Sequence, residues 1–169
     1  GPNIFREYYK NPQATAESFD TEGWFKTGDI GELTDTGFLT IKGRKKEIIV
    51  TSGGKNISPL RIESRFKENP YIEHIILYGN EQRYLTALVT LHEDHITRYA
   101  LTHQIPYRDY AALVHTPAIY ALVQASIEEV NKDLASFETI KKFLIYEGHL
   151  TLETGFLTPS LKLKRERVY

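Results

Sequence analysis

Residues 43–59, GRKKEIIVTSGGKNISP, place a basic turn, a short apolar strand, a glycine pair and a helix start in one uninterrupted run. Gly43 frees the backbone ahead of Arg44, Lys45 and Lys46. Ile48, Ile49 and Val50 are β-branched and bounded by turn residues, which predicts a short strand with a largely buried backbone. Ser52, Gly53 and Gly54 then break it, because glycine tolerates positive φ and lets another molecule come close to the main chain. Ser58 followed by Pro59 restarts order, with a hydroxyl at the helix N-cap and proline at the first helical position. On spacing alone, a surface strand–turn–helix with solvated lysines and a ligand-binding loop are about equally supported.

Downstream, residues 59–67 read as a helix that stops before Asn69 and Pro70, since the residue preceding proline is pushed out of helical geometry. Residues 72–78 and 84–91 form the clearest hairpin, turning at Gly79 and Asn80. In its second strand Leu85, Ala87, Val89 and Leu91 alternate with a more polar set, the period of two of a strand with one buried face. Residues 93–104 are helical by the spacing of Ile96, Tyr99, Ala100 and His103. Thr116 and Pro117 open the longest helix, where Ile119, Leu122, Val123, Ile127, Val130 and Leu134 make one apolar stripe. Residues 143–146 supply a last strand before a turn-rich tail. Upstream, residues 15–19 suit one helical turn, and residues 29–33 and 37–41 a two-stranded ribbon with Gly37 at a positive-φ position. A lone ribbon is marginal, so this portion calls for a partner surface. The order predicts an α+β fold: a small open β-sheet flanked by helices and preceded by a β-ribbon.

Composition sets limits. A net charge of -1 with 25% charged residues provides no global field to draw in nucleic acid or an anionic membrane. There is no cysteine, which excludes disulfides, thiolate metal sites and cysteine nucleophiles. No apolar run approaches the roughly 20 residues that cross a bilayer, and no signal peptide opens the sequence, so a cytoplasmic protein is expected. The absence of methionine, initiator included, suggests a piece of a longer protein. His92 and His95 sit three apart beside Glu93 and Asp94, a spacing that suits a metal on one helical face. With no third histidine nearby and a strand end intervening, they read as a surface pair at a helix start, and no metal site is assigned. Lys141 and Lys142 beside Phe143 and Tyr146 suit stacked bases, but without a basic excess no nucleic-acid partner is expected.

The opening run, with residues 23–29 (GWFKTGD), 84–91 (YLTALVTL) and 158–165 (TPSLKLKR), resembles the adenylate-forming superfamily of acyl-CoA synthetases, luciferases and peptide-synthetase adenylation domains. The matches occur in order over essentially the whole sequence, and the last is most similar to the long-chain fatty acid CoA ligase branch. The resemblance implies that residues 1–43 finish a large N-terminal domain and residues 44–169 form its mobile C-terminal lid, with that N-terminal domain as partner. It implies Lys162 as the catalytic lysine, Asp29 as acceptor for the ribose hydroxyls of AMP or ATP, Arg44 at the ribose and phosphates, and Lys46 as the hinge. Gly53 and Gly54 fall where a glycine lines the pantetheine tunnel for CoA, and one extra residue between Arg44 and Pro59 leaves both in play. Leu161 stands where many relatives carry glycine, which keeps Lys164 as the alternative lysine. Composition alone makes Lys162, Lys164, Arg165 and Arg167 a solvated basic tail. The phosphate loop, the acyl tunnel and the Mg-binding glutamate belong to the N-terminal domain. The implied activity is ATP-dependent ligation of a long-chain fatty acid to CoA, through an acyl-adenylate and then a thioester, with this portion inactive alone. Another adenylate-forming branch and a non-catalytic binding module derived from the lid are the alternatives, and peripheral membrane association is left open.

Overall fold

Two runs of alternating and helical periodicity build the larger part of the protein, which the computed structural model describes over residues 3–168. β5 (Ile72–Tyr78) and β6 (Leu85–Leu91) pair antiparallel, and β7 (Ile140–Ile145) adds parallel to β6, giving the order β5-β6-β7. Leu85, Ala87, Val89 and Leu91 are all buried, as their alternation predicts. Against that face pack α3 (Glu93–Thr102), α4 (Tyr110–Val114) and α5 (Pro117–Asn131), which form the crossover from β6 to β7. Ile119, Val123 and Ile127 are the buried part of the α5 stripe, while Leu122, Val130 and Leu134 flank it half-buried.

The chain divides into two units between Glu47 and Ile48. The first holds α1 (Pro12–Ser18), capped by the Asn11 side chain, and a ribbon of β1 (Asp29–Leu33) and β2 (Leu39–Arg44). Gly37 turns that ribbon at φ +82, and β2 runs on to Arg44 because Arg44 pairs with Asp29 across the ribbon. Every residue of β1 is exposed, and so are Trp24, Phe38 and Leu39. Outside the ribbon, Phe5, Phe19 and Phe25 of the same unit form a small aromatic cluster.

In the second unit the strand expected at 48–50 is the short β3 (Ile49–Val50), paired with β4 (Asn56–Ile57). Next comes α2 (Pro59–Glu63), which tightens into a 3-10 turn over Ser64–Phe66. The first helix after the glycines is therefore shorter than the expected 59–67. Ser58 holds the N-cap backbone position, but its side chain makes no capping bond to the helix. α5 stops at Asn131 rather than reaching Leu134, and β7 starts at Ile140 rather than Phe143. The amide of Asn131 explains both, accepting from the Ile140 N–H at 2.9 Å and donating to the Ile140 carbonyl at 3.0 Å.

Tyr110 on α4 donates to the Leu91 carbonyl at 3.2 Å and stacks on His149, where the tail begins. Burial, then the carboxylates of Glu93 and Glu73, push its hydroxyl up to about 12. An unfolded tyrosine ionises near 10. Between these values the unfolded state releases a proton that the folded state keeps, so stability falls as pH rises from about 10 to 12. Denaturant titrations across that range are expected to show a shallower fall for Tyr110→Phe than for the parent; parallel curves would contradict the assignment.

Candidate functional site

Each unit carries its own share of the site residues read from the sequence. In the first, Asp29 and Arg44 are cross-strand partners at the open end of the ribbon, Arg44 Nε lying 3.2 Å from Asp29 Oδ1. The structure thus joins the two residues expected at the nucleotide, fifteen positions apart in sequence. Asp29 is less exposed than Arg44, at 30% against 61% of the side chain, so the carboxylate is the more fixed of the two. Below them the Lys45 N–H donates to the Gly28 carbonyl at 2.8 Å, which closes the ribbon. Lys46 then sits in a single 3-10 turn, Lys45–Glu47, that ends where the two units separate.

In the second unit the glycine loop is a tight turn between β3 and β4. The Thr51 N–H donates to the Lys55 carbonyl at 3.0 Å, the Gly54 N–H to the Thr51 carbonyl at 2.8 Å, and Thr51 Oγ1 accepts from the Lys55 N–H at 3.1 Å. A second set of bonds pins the loop to the β5–β6 turn. Val50 accepts from the Glu81 N–H at 2.8 Å, Ser52 donates to the Gln82 carbonyl at 3.0 Å, and Asn80 Oδ1 accepts from the Val50 N–H at 3.2 Å. Beside this junction lies an open cleft of about 410 Å³ lined by Ser52, Tyr78, Gln82, Arg83 and Tyr84. The two glycines have different reasons for being glycine. Gly54 takes φ +73, a left-handed conformation, whereas Gly53 needs no positive φ and an added Cβ would meet only Thr51 Oγ1, at 3.9 Å. The turn accounts for Gly54 and leaves Gly53 unexplained by the fold.

Lys162 closes a second tight turn. The Thr158 N–H donates to the Lys162 carbonyl and the Leu161 N–H to the Thr158 carbonyl, both at 2.8 Å. Thr158 Oγ1 accepts from the Lys162 N–H at 3.0 Å and contacts Ser160 Oγ at the same distance. A bridge between Leu157 and Leu163 zips the base, and the Lys162 side chain is exposed. Leu161 pays for the turn with φ +58, which for a non-glycine residue costs about 1–2 kcal/mol. The position that the resemblance pairs with a glycine is left-handed in this chain, and leucine keeps the turn despite the strain. Lys164 lies beyond the turn, its N–H spent on the Phe156 carbonyl at 2.8 Å.

The residues that sequence reasoning missed are Glu63 and Arg165. The Arg165 guanidinium grips the Glu63 carboxylate with both nitrogens, Nη1 to Oε1 at 2.8 Å and Nη2 to Oε2 closer still, and Glu63 Oε1 also accepts from the Leu77 N–H at 2.9 Å. These side chains are only 16% and 13% exposed, and at 102 positions apart no local pattern announces the pair. His92 and His95 lie near one another at the start of α3, with ring centroids 5.4 Å apart and His95 Nδ1 on the Pro70 carbonyl. Among the described residues no three histidine or carboxylate groups converge as metal ligands, and no helix is long and apolar enough to cross a membrane.

Residues 46–167 match the protein family described as the AMP-binding enzyme C-terminal domain. Over 99% of its length the chain is 38% identical to the long-chain-fatty-acid–CoA ligase FadD15 of Mycobacterium tuberculosis, of which it covers 28%. Over 98% it is 36% identical to the long-chain-fatty-acid–CoA ligase ACSBG2 of Xenopus laevis, of which it covers 25%. It therefore spans little more than a quarter of these relatives. Among solved structures, the adenylation domain of a carboxylate reductase from Mycobacterium chelonae superposes with a TM-score of 0.78 at 29% identity, over 98% of this chain and 24% of that one. The o-succinylbenzoate CoA synthetase of Bacillus subtilis in complex with its acyl-adenylate intermediate gives 0.70 at 25% identity, over 99% of this chain and 28% of that one.

The glycine loop yields a stability test. Gly54→Ala is expected to lower the unfolding free energy in urea by about 1–2 kcal/mol, and Gly53→Ala to change it by less than about 0.5. Equal costs at the two positions would show that the loop's conformation demands both.

Proposed function

The chain belongs to the AMP-binding enzyme C-terminal domain family, and from that premise we propose that it is the lid of an ATP-dependent long-chain fatty acid CoA ligase, together with the last strands of that enzyme's large domain. In the first half-reaction the fatty carboxylate attacks the α-phosphorus of ATP and pyrophosphate leaves. Two anions must approach, and Lys162 supplies the positive charge between them. A group placed at a site of developing charge is worth about two to three orders of magnitude in rate. In the second half-reaction the CoA sulfur attacks the acyl carbonyl, AMP leaves, and the thiol proton passes to solvent.

The observation that carries this reading is the turn at Lys162, which fixes the lysine backbone from both sides through Thr158 while its ammonium group stands in the open. A solvated basic tail has no reason to hold Leu161 in a strained conformation. The other roles follow in the same frame. Asp29 accepts from the ribose hydroxyls, and its present partner Arg44 turns its planar fork to the nucleotide phosphates. Gly53 gives pantetheine close access to the main chain, since nothing in the fold asks for its missing side chain. Lys46 serves as the hinge, supported by its place in a single turn at the division between units. Magnesium, the phosphate loop and the acyl tunnel belong to the rest of the enzyme.

In the full-length enzyme, Lys162→Ala is expected to slow adenylation about 100- to 1,000-fold, read by pyrophosphate exchange, and to affect thioester formation from supplied acyl-adenylate far less. Lys164→Ala should leave both half-reactions within a few-fold of the parent. Equal loss of both steps in Lys162→Ala, or a larger adenylation defect in Lys164→Ala, would overturn the assignment.

A further inference from the structure

The turn that presents Lys162 is closed by hydrogen bonds within the tail itself. Thr158 bonds Lys162, Leu157 bridges Leu163 and Lys164 bonds Phe156. Those bonds shape the turn but do not say where it stands on the unit. Its place is set by ties on either side: before the turn Leu157 is buried and Phe156 meets Tyr146 edge-on, and after it, three residues beyond Lys162, the Arg165 guanidinium is clamped in two-point contact by Glu63, the last residue of α2. Glu63 is held in turn by the Leu77 N–H on β5, the sheet strand next to the central one. A two-point Arg–carboxylate contact fixes direction as well as distance, which a lysine in place of arginine cannot do.

From this geometry we infer that Glu63 and Arg165 are positioning residues that set the reach of Lys162 for the adenylation step. The inference rests on Lys162 being the adenylation lysine. The glycine loop has its own fastening, through Asn80, Glu81 and Gln82 in the β5–β6 turn, so loss of the clamp moves the lysine turn and leaves the loop in place. The clamp therefore serves one half-reaction and not the other. A purely structural ion pair of the same burial would weaken both alike.

The test uses the full-length enzyme with each half-reaction assayed separately. Arg165→Lys keeps a cation that can still face Glu63 but loses the fork, and displacement of a catalytic group by about 1 Å typically costs about 100-fold. Adenylation kcat is expected to fall about 10- to 100-fold in Arg165→Lys and in Glu63→Gln, with the KM for ATP and fatty acid within about 3-fold of the parent. Thioester formation from supplied acyl-adenylate should fall less than about 3-fold. Combined with Lys162→Ala, either change should cost nothing further, because a lysine that is absent needs no positioning. Equal losses in both half-reactions, or full additivity with Lys162→Ala, would overturn the inference. If Lys162→Ala by itself spares adenylation, it is the underlying role of Lys162 that fails, whatever the clamp variants do.

Discussion

The carboxylate of Glu63 holds three distant parts of the second unit in one place. It ends α2, accepts the Leu77 N–H of β5, and grips Arg165 from the tail. α2 itself follows β4 after only Ser58, while the glycine loop is fastened separately, to the β5–β6 turn through Asn80, Glu81 and Gln82. Removing one partner of a pair as buried as this typically costs about 3–5 kcal/mol, because the other charge is left without compensation. The arrangement makes the unit a rigid carrier: two turns at different places, each shaped by its own backbone bonds, each fastened to the same sheet.

Rigidity of the carrier decides how the two proposed half-reactions can share one protein. Lys162 and Gly53 are over a hundred residues apart and sit in turns with separate fastenings. In the proposed scheme the change of partner at the reacting centre comes from motion of the whole unit, and domain motions concentrate torsional change in a few residues. The proposed hinge residue Lys46 lies in the single 3-10 turn Lys45–Glu47, which ends where the chain divides.

Much of this was legible in the sequence because local period and local chemistry agreed. The β5–β6 hairpin, the α5 stripe and the ribbon with its turn at Gly37 each follow from patterns inside short windows, and the α+β class follows from their order. The adenylate-forming motifs nominated Asp29, Arg44, Lys46, Gly53, Gly54 and Lys162 for the roles proposed above, and the family match over residues 46–167 agrees with the resemblance itself. What stayed hidden depends on particular side-chain and strand contacts, some between near neighbours and some between remote residues. α5 ends early because Asn131 bonds Ile140, β4 is two residues long and exists only by pairing with β3, and α4 is a five-residue helix set by the Asp109 side chain on the Ala112 N–H. The Glu63–Arg165 clamp is the extreme case, invisible to any window and yet placed directly behind the lysine turn.

Distances measured by paired spin labels in the full-length enzyme would test the rigid-carrier account most directly, and the absence of cysteine in this part of it makes labelling straightforward. One pair, at Ser52 and Ser160, reports the separation of the two loops; a second, at Asp35 and Ser160, reports the tail against the ribbon. The account predicts that exchanging an acyl-adenylate analogue for AMP with CoA leaves the Ser52–Ser160 distance unchanged while the Asp35–Ser160 distance shifts to a new, single value. A changed Ser52–Ser160 distance with a fixed Asp35–Ser160 distance would contradict it, and would mean that the loops move individually on a stationary lid.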